Sequence, residues 1–128
     1  MSKPELAART SWVKKFRCAF RGAKLGVRGE SSFFVHFFVA AAVVAAALVL
    51  KASLVDWCLL LLCITIVLTA EMINSAIERL ARAVDSEPNS HIRDALDIGS
   101  GAVLVAAIGA SIVGAVVFLN LVAQTPSG

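Results

Sequence analysis

The sequence predicts an all-α integral membrane protein, with three transmembrane helices per chain and an N-terminal amphipathic surface helix. Three observations predict it. The 128 residues are 59% hydrophobic and only 16% charged, a balance unlike that of a water-soluble domain. The apolar residues are gathered into long runs parted by short polar segments, as bilayer spans require. Eight of the twelve basic residues precede the first such run: Lys3, Arg9, Lys14, Lys15, Arg17, Arg21, Lys24 and Arg28.

The elements follow in order within one domain, 1–128. Over 5–29 the basic residues Lys14, Arg17, Arg21, Lys24 and Arg28 recur at i, i+3, i+7, i+10 and i+14. Trp12, Phe16, Phe20, Ala23 and Val27 fall on the opposite face. That pattern predicts a helix lying in the plane of a membrane surface. A basic arm can also meet nucleic acid; beside so apolar a remainder, its expected partner is an anionic membrane surface, and no nucleic acid is expected. The first span is 33–50, interrupted only by His36, which reads as a packed or interfacial residue. Lys51-Ala-Ser-Leu-Val-Asp56 is a polar turn, and Trp57 suits an interfacial anchor. The second membrane helix is 57–82. Asp85-Ser-Glu-Pro-Asn-Ser-His91 is rich in turn formers and reads as a loop. The third span, 98–122, carries Gly99, Ser100, Gly101, Gly109, Ser111 and Gly114, small residues that let membrane helices approach closely.

Orientation comes from charge. The basic N-terminal region stays in the cytoplasm, and a cleavable signal peptide is a poor reading of it. The second helix then returns inward, bringing Glu71, Glu78, Arg82, Arg93 and Asp97 toward the cytoplasmic face of the inner membrane. The C-terminus ends outside. Cys18, Cys58 and Cys63 show no ligand spacing and are given no role.

The chemistry lies in the second helix. Its apolar run leads into Ala70-Glu71-Met72-Ile73-Asn74-Ser75-Ala76-Ile77-Glu78. An acid placed there is costly, and so is a functional candidate by default. Glu71, Asn74, Ser75 and Glu78 sit at i, i+3, i+4 and i+7, on one helix face. Arg82 and Asp85 extend the stripe. Glu71 and Glu78 lie about 10 Å apart along the axis, too far for one ion to be held by both alone. A base at one end and a cation ligand at the other fits that spacing; the alternative is a polar seam that only joins helices.

No phosphate-binding loop, dinucleotide fingerprint, protein-kinase set or zinc-type histidine pair is present in the sequence. What remains is carboxylates at one membrane level (Glu30, Glu71, Glu78, Asp94 and Asp97) with Arg28, Arg82 and Arg93 nearby. Hard oxygen ligands with arginines at a lipid surface fit Mg²⁺-assisted phosphoryl transfer. Glu71, the deepest acid, would take the proton of a membrane-embedded hydroxyl.

The string Ala70-Glu-Met-Ile-Asn-Ser-Ala-Ile-Glu78, followed by Asp97-Ile-Gly-Ser-Gly-Ala-Val103, resembles the small prokaryotic diacylglycerol kinase family, which includes undecaprenol kinases. The resemblance covers roughly Trp12 to Leu121, with Gly29-Glu30 before the first span. It implies an ATP-dependent lipid kinase that assembles as a homotrimer with shared active sites. It further implies that Glu71 is the catalytic base, and that Glu30 and Glu78 hold the Mg²⁺ carrying the ATP phosphates. Asn74 would neighbour the reacting groups, and Asp97 would belong to the nucleotide site with the metal-holding Glu30 and Glu78; Ser75, on the face of Asn74, and Arg28, at the same membrane level, are further candidates for those two sites.

One position departs from the family pattern. Members carry a lysine directly before the aspartate matched by Asp97, and this chain has Leu96. Leucine cannot neutralise phosphate charge, so Arg93, one turn earlier on the same face, is the candidate substitute. The expected function is transfer of the ATP γ-phosphate to a membrane lipid alcohol, diacylglycerol or undecaprenol. The competing reading is a non-catalytic relative that binds lipid or nucleotide.

Overall fold

The computed structural model describes residues 2–3, 11–28, 31–84 and 89–126; the side chains of 27, 28, 31 and 32 are not among those described. Every regular element in it is a helix: α1 (Trp12–Arg28), α2 (Ser31–Val49), α3 (Leu54–Val84) and α4 (Ser90–Gln124). Residues 2–28 belong to one compact unit, and α2, α3 and α4 to another.

Helix α1 begins where its sequence caps it. The Ser11 hydroxyl accepts a hydrogen bond from Lys14 N at 3.4 Å, and its carbonyl accepts from Lys15 N at 2.9 Å, which satisfies N–H groups that have no partner within the helix. Trp12, Phe16 and Phe20 are all strongly exposed. The Lys15 ammonium stands 4.9 Å from the Trp12 ring centroid. Residues 5–10 and 29 of the expected surface helix lie outside the described residues.

The second unit is built around α3. Its 31 residues and the 35 of α4 make both helices long and apolar enough to cross a membrane. Helix α2 is shorter, 19 residues or about 28 Å at 1.5 Å per residue. Ala47 of α2, Leu60 of α3, and Val117 and Leu121 of α4 form a buried cluster, flanked by Val43, Trp57 and Phe118. Trp57, expected at an interface, packs half-buried against that cluster. Toward the other end of α3, Gly99 of α4 meets Asn74. The pairing of Leu60 with Val117 and Leu121, and of Asn74 with Gly99, makes α3 and α4 antiparallel.

Two boundaries differ from the sequence reading, each for a capping reason. The polar segment 51–56 is a turn only as far as Ser53, and Leu54–Asp56 are already helical. Ser53 and Asp56 exchange hydrogen bonds, Ser53 N to Asp56 Oδ2 at 3.1 Å and Asp56 N to Ser53 Oγ at 3.2 Å. That is a capping box with aspartate in the acceptor role. Before it, Ala52 N bonds Ala47 O at 3.0 Å and Lys51 N bonds Leu48 O at 3.4 Å, with Lys51 at φ 56°. This is a Schellman ending with lysine in the left-handed position that glycine usually fills.

The expected loop 85–91 is also shorter than read. Residues 85–88 lie outside the described residues, but Ser90 and His91 are helical. Asn89 is the cap, its Oδ1 accepting from His91 N at 2.9 Å and Ile92 N at 3.4 Å. Arg93, Asp94 and Asp97 accordingly stand on the first turns of α4. Within the apolar stretches, the Thr65 and Ser111 hydroxyls donate to Leu61 O and Ala107 O at 2.8 and 2.7 Å, so neither is left without a partner.

Candidate functional site

Helical periodicity placed Glu71, Asn74, Ser75 and Glu78 on one face, and that face turns inward. Glu71 is 6% exposed, Asn74 9% and Ser75 3%. Glu78 is half-buried, and Arg82 is exposed. The stripe therefore runs from a buried acid to a solvated cation along α3. Asp85, its expected continuation, lies outside the described residues.

Two hydrogen bonds organise the buried part. His36 Nε2, on α2, lies 2.9 Å from Glu71 Oε1. With the carboxylate ionised, as a general base must be, it can only accept, and the imidazole is then the donor. Asn74 Nδ2 donates to Glu78 Oε1 at 3.1 Å, joining two residues of the stripe one turn apart. Asn74 Oδ1 and Ser75 Oγ are buried with no hydrogen-bond partner among the described residues. Buried polar atoms of that kind are uncommon, and they concentrate where a ligand or reaction accounts for them.

Gly99 explains how α4 comes so near. A Cβ at that position would lie 2.5 Å from Asn74 Oδ1 and 3.3 Å from Ile77 Cδ1. Any side chain would push Asn74 out of its place beside Glu78. The absence of a Cβ thus brings the start of α4 against the acidic stripe at Gly99, whereas Asp97, two residues earlier and so on the far side of the helix, is exposed. Leu96 is half-buried and Arg93 exposed. The Arg93 guanidinium sits 3.7 Å from Asp94 Oδ1, with 73% of the Arg93 side chain exposed.

The remaining expected site residues fall outside this geometry. Glu30 lies outside the described residues, as does the side chain of Arg28. His36 is the residue the sequence reading missed, taken there as packing. A signal existed: His36 and Glu71 lie equally far out from the Ser53–Leu54 bond. A helical hairpin turning there sets the two isolated polar groups of its legs side by side.

As a metal site the described residues have a limited donor set. No group of three His, Cys, Asp or Glu side chains gathers among them. Glu78 offers one carboxylate with an oxygen engaged by Asn74. Such a set fits Mg²⁺, which keeps several waters and takes one or two carboxylates plus substrate phosphates. It does not make an all-protein cage.

Comparison with known proteins bears on this arrangement. Residues 17–118 match the profile of the prokaryotic diacylglycerol kinase family. The undecaprenol kinase of Bacillus subtilis (strain 168) is 30% identical over 108 residues, 84% of this chain and 88% of that protein. The diacylglycerol kinase of Synechocystis sp. (strain ATCC 27184 / PCC 6803 / Kazusa) is 32% identical over 105 residues, 81% of this chain and 60% of that longer protein. The matched segment takes in His36, the acidic residues of α3, and Asp97 and Gly99 of α4. With most of its length matched, this chain belongs to the prokaryotic diacylglycerol kinase family of lipid kinases.

Proposed function

We propose that the protein transfers the γ-phosphate of ATP to the hydroxyl of a membrane lipid alcohol, undecaprenol or diacylglycerol. The observation that carries the reading is Glu71, a buried carboxylate in a helix apolar enough to cross a membrane. A charge so placed is costly unless used, and membership in a family of lipid kinases supports reading that use as lipid phosphorylation.

In this reading Glu71 accepts the proton as the lipid oxygen attacks the γ-phosphorus. The bond from γ-phosphorus to the bridging oxygen breaks, and its electron pair leaves on ADP. Glu78, with Glu30, would hold a Mg²⁺ ion, which when bound would supply charge neutralisation for the phosphates. Asn74 fixes Glu78, and Ser75 lines the same buried face. Asp97, Arg93 and Arg28 belong to the nucleotide side. Phosphoryl transfer asks mainly for position and charge neutralisation, which a small helical site can provide.

The membrane arrangement belongs to the same proposal. Helices α2, α3 and α4 are the three spans, α1 lies on the cytoplasmic leaflet of the inner membrane, and the active site opens on that side. Three chains assemble as a homotrimer, within one domain per chain.

The test is purified protein in mixed micelles with γ-labelled ATP and Mg²⁺, offered undecaprenol, diacylglycerol and a simple long-chain alcohol in parallel. Labelled lipid phosphate in at least one arm is the expected result; no transfer to any lipid alcohol contradicts it. One observation favours a second reading, a relative that binds without catalysing. Leu96 stands where the family carries a phosphate-neutralising lysine, and protein that binds Mg²⁺-ATP but transfers nothing would support it.

A further inference from the structure

His36 is the polar side chain that interrupts an otherwise apolar helix. Beyond Ser31 and Ser32 at its start, every other residue of α2 is Phe, Val, Ala or Leu. An imidazole without a partner in such surroundings would cost free energy. Here its Nε2 meets Glu71 Oε1 at 2.9 Å, with the two side chains 22% and 8% exposed.

A second observation concerns what lies beside the ring. An apolar groove of about 480 Å³ runs between α2, α3 and α4, lined by Val39, Val43, Ile64 and Phe118 among others. His36 is part of its wall and Glu71 is not. The imidazole therefore spans from the apolar groove to the buried acid. It is the group through which an apolar guest in the groove would sense Glu71.

We propose that His36 is a positioning residue for Glu71. By donating from Nε2 it holds the carboxylate in one orientation and sets it at the polar end of the groove. A lipid hydroxyl arriving with its hydrocarbon in the groove then meets a base already aimed. The inference rests on the reading of Glu71 as the base. His36 does not itself gain or lose the transferred proton: the lipid O–H breaks, its proton goes to the Glu71 carboxylate, and the imidazole N–H stays in place throughout.

A merely structural histidine predicts something different. A polar tether between α2 and α3 would matter for stability and assembly, with turnover per folded molecule untouched. The distinguishing variants are His36→Phe, which keeps a ring but removes the donor, and His36→Gln, whose amide N–H can replace it.

The experiment measures kcat and KM in mixed micelles, normalised to the amount of protein that binds a non-hydrolysable Mg²⁺-ATP analogue. His36→Phe is expected to lower kcat by roughly 10- to 100-fold, since small misplacements of a reacting group cost about that much. KM for ATP should stay within about twofold of wild type, because the nucleotide contacts are untouched. His36→Gln should recover most of the loss. On a Glu71→Gln background, His36→Phe should cost nothing further, as expected of groups acting as a unit. If Glu71→Gln is inactive while His36→Phe turns over like wild type, the positioning role is overturned and the base survives. If Glu71→Gln is active, the base reading falls, and the inference built on it falls too.

Discussion

At the scale of single residues, the two acids of α3 differ in surroundings in a way that separates their roles. Glu71 is buried and met by an imidazole, whereas Glu78 is half-buried and met by an amide. Glu78→Gln should therefore raise the KM for Mg²⁺-ATP or the Mg²⁺ requirement, leaving lipid affinity near wild type. Titration of activity against free Mg²⁺ reads this directly. Gly99 offers a sharper test of packing. Alanine there would place a methyl 2.5 Å from Asn74 Oδ1, and overpacking of that kind costs about 1–3 kcal/mol. Gly99→Ala should lower the unfolding temperature in detergent and depress activity, whereas Gly101→Ala, with open space around it, should do neither.

Leu96 and Arg93 pose the other residue-scale question. The Arg93–Asp94 pair is exposed and long, so it holds the guanidinium only weakly. Its release toward a phosphate would cost little. If Arg93 supplies the missing cation, Arg93→Ala should remove most activity and Leu96→Lys should rescue it. If the chain is instead a weakened kinase, Leu96→Lys alone should raise activity by about tenfold or more, some 1.4 kcal/mol of barrier, and Arg93→Ala should matter little. A double-mutant cycle on the two positions tells these apart.

At the scale of elements, capping explains both what the sequence disclosed and what it hid. Apolar runs located α2, α3 and α4, because a stretch of Leu, Val and Ala has one stable arrangement in a bilayer. Their ends were less legible. The residues of 51–56 are polar and read as a turn, yet Ser53 and Asp56 use that polarity to start α3. Asn89 does the same for α4 and carries Arg93 and Asp97 onto a helix. In both places the side chains that suggested a loop are helix caps. Ser53→Ala should destabilise the protein by about 1 kcal/mol, seen as a lower unfolding temperature with kcat unaltered, since Ser53 lies at the end of α3 remote from Glu71.

Helix α1 carries its own element-scale prediction. Arg17, Arg21 and Lys24 are exposed on it, and each cation near an anionic surface contributes about 1 kcal/mol of attraction. Replacing all three by Gln should weaken binding to anionic vesicles much more than to neutral ones. Equal binding of wild type and variant to anionic vesicles would remove the surface role. A large rise in the KM for ATP in neutral detergent would reassign these residues to the nucleotide.

At the scale of the molecule, the site was only partly readable from one dimension. The stripe on α3 was legible because helical periodicity alone fixes which residues share a face. The partner of Glu71 was not, because it comes from a different helix and depends on where the hairpin turns. The close approach of Gly99 to Asn74 likewise belongs to the packing of α3 on α4. Glycines at 99, 101, 109 and 114 look alike in the sequence, yet only at 99 would a Cβ collide with a neighbour. Large apolar side chains of α4, among them Leu104, Val105, Ile112 and Leu119, remain exposed on the single chain, as lipid contact or further copies of the chain would require.

The central claim is that Glu71 is the base of a lipid kinase. Its most direct test is phosphoryl transfer from γ-labelled ATP to a lipid alcohol by Glu71→Gln beside wild type, with binding of a Mg²⁺-ATP analogue measured on the same samples. The amide keeps the shape of the carboxylate and loses its ability to take a proton. Transfer should fall by about 10²-fold or more, the usual contribution of a general base, while nucleotide binding stays near wild type. Wild-type transfer by Glu71→Gln would contradict the claim and leave the α3 stripe as a seam that joins helices.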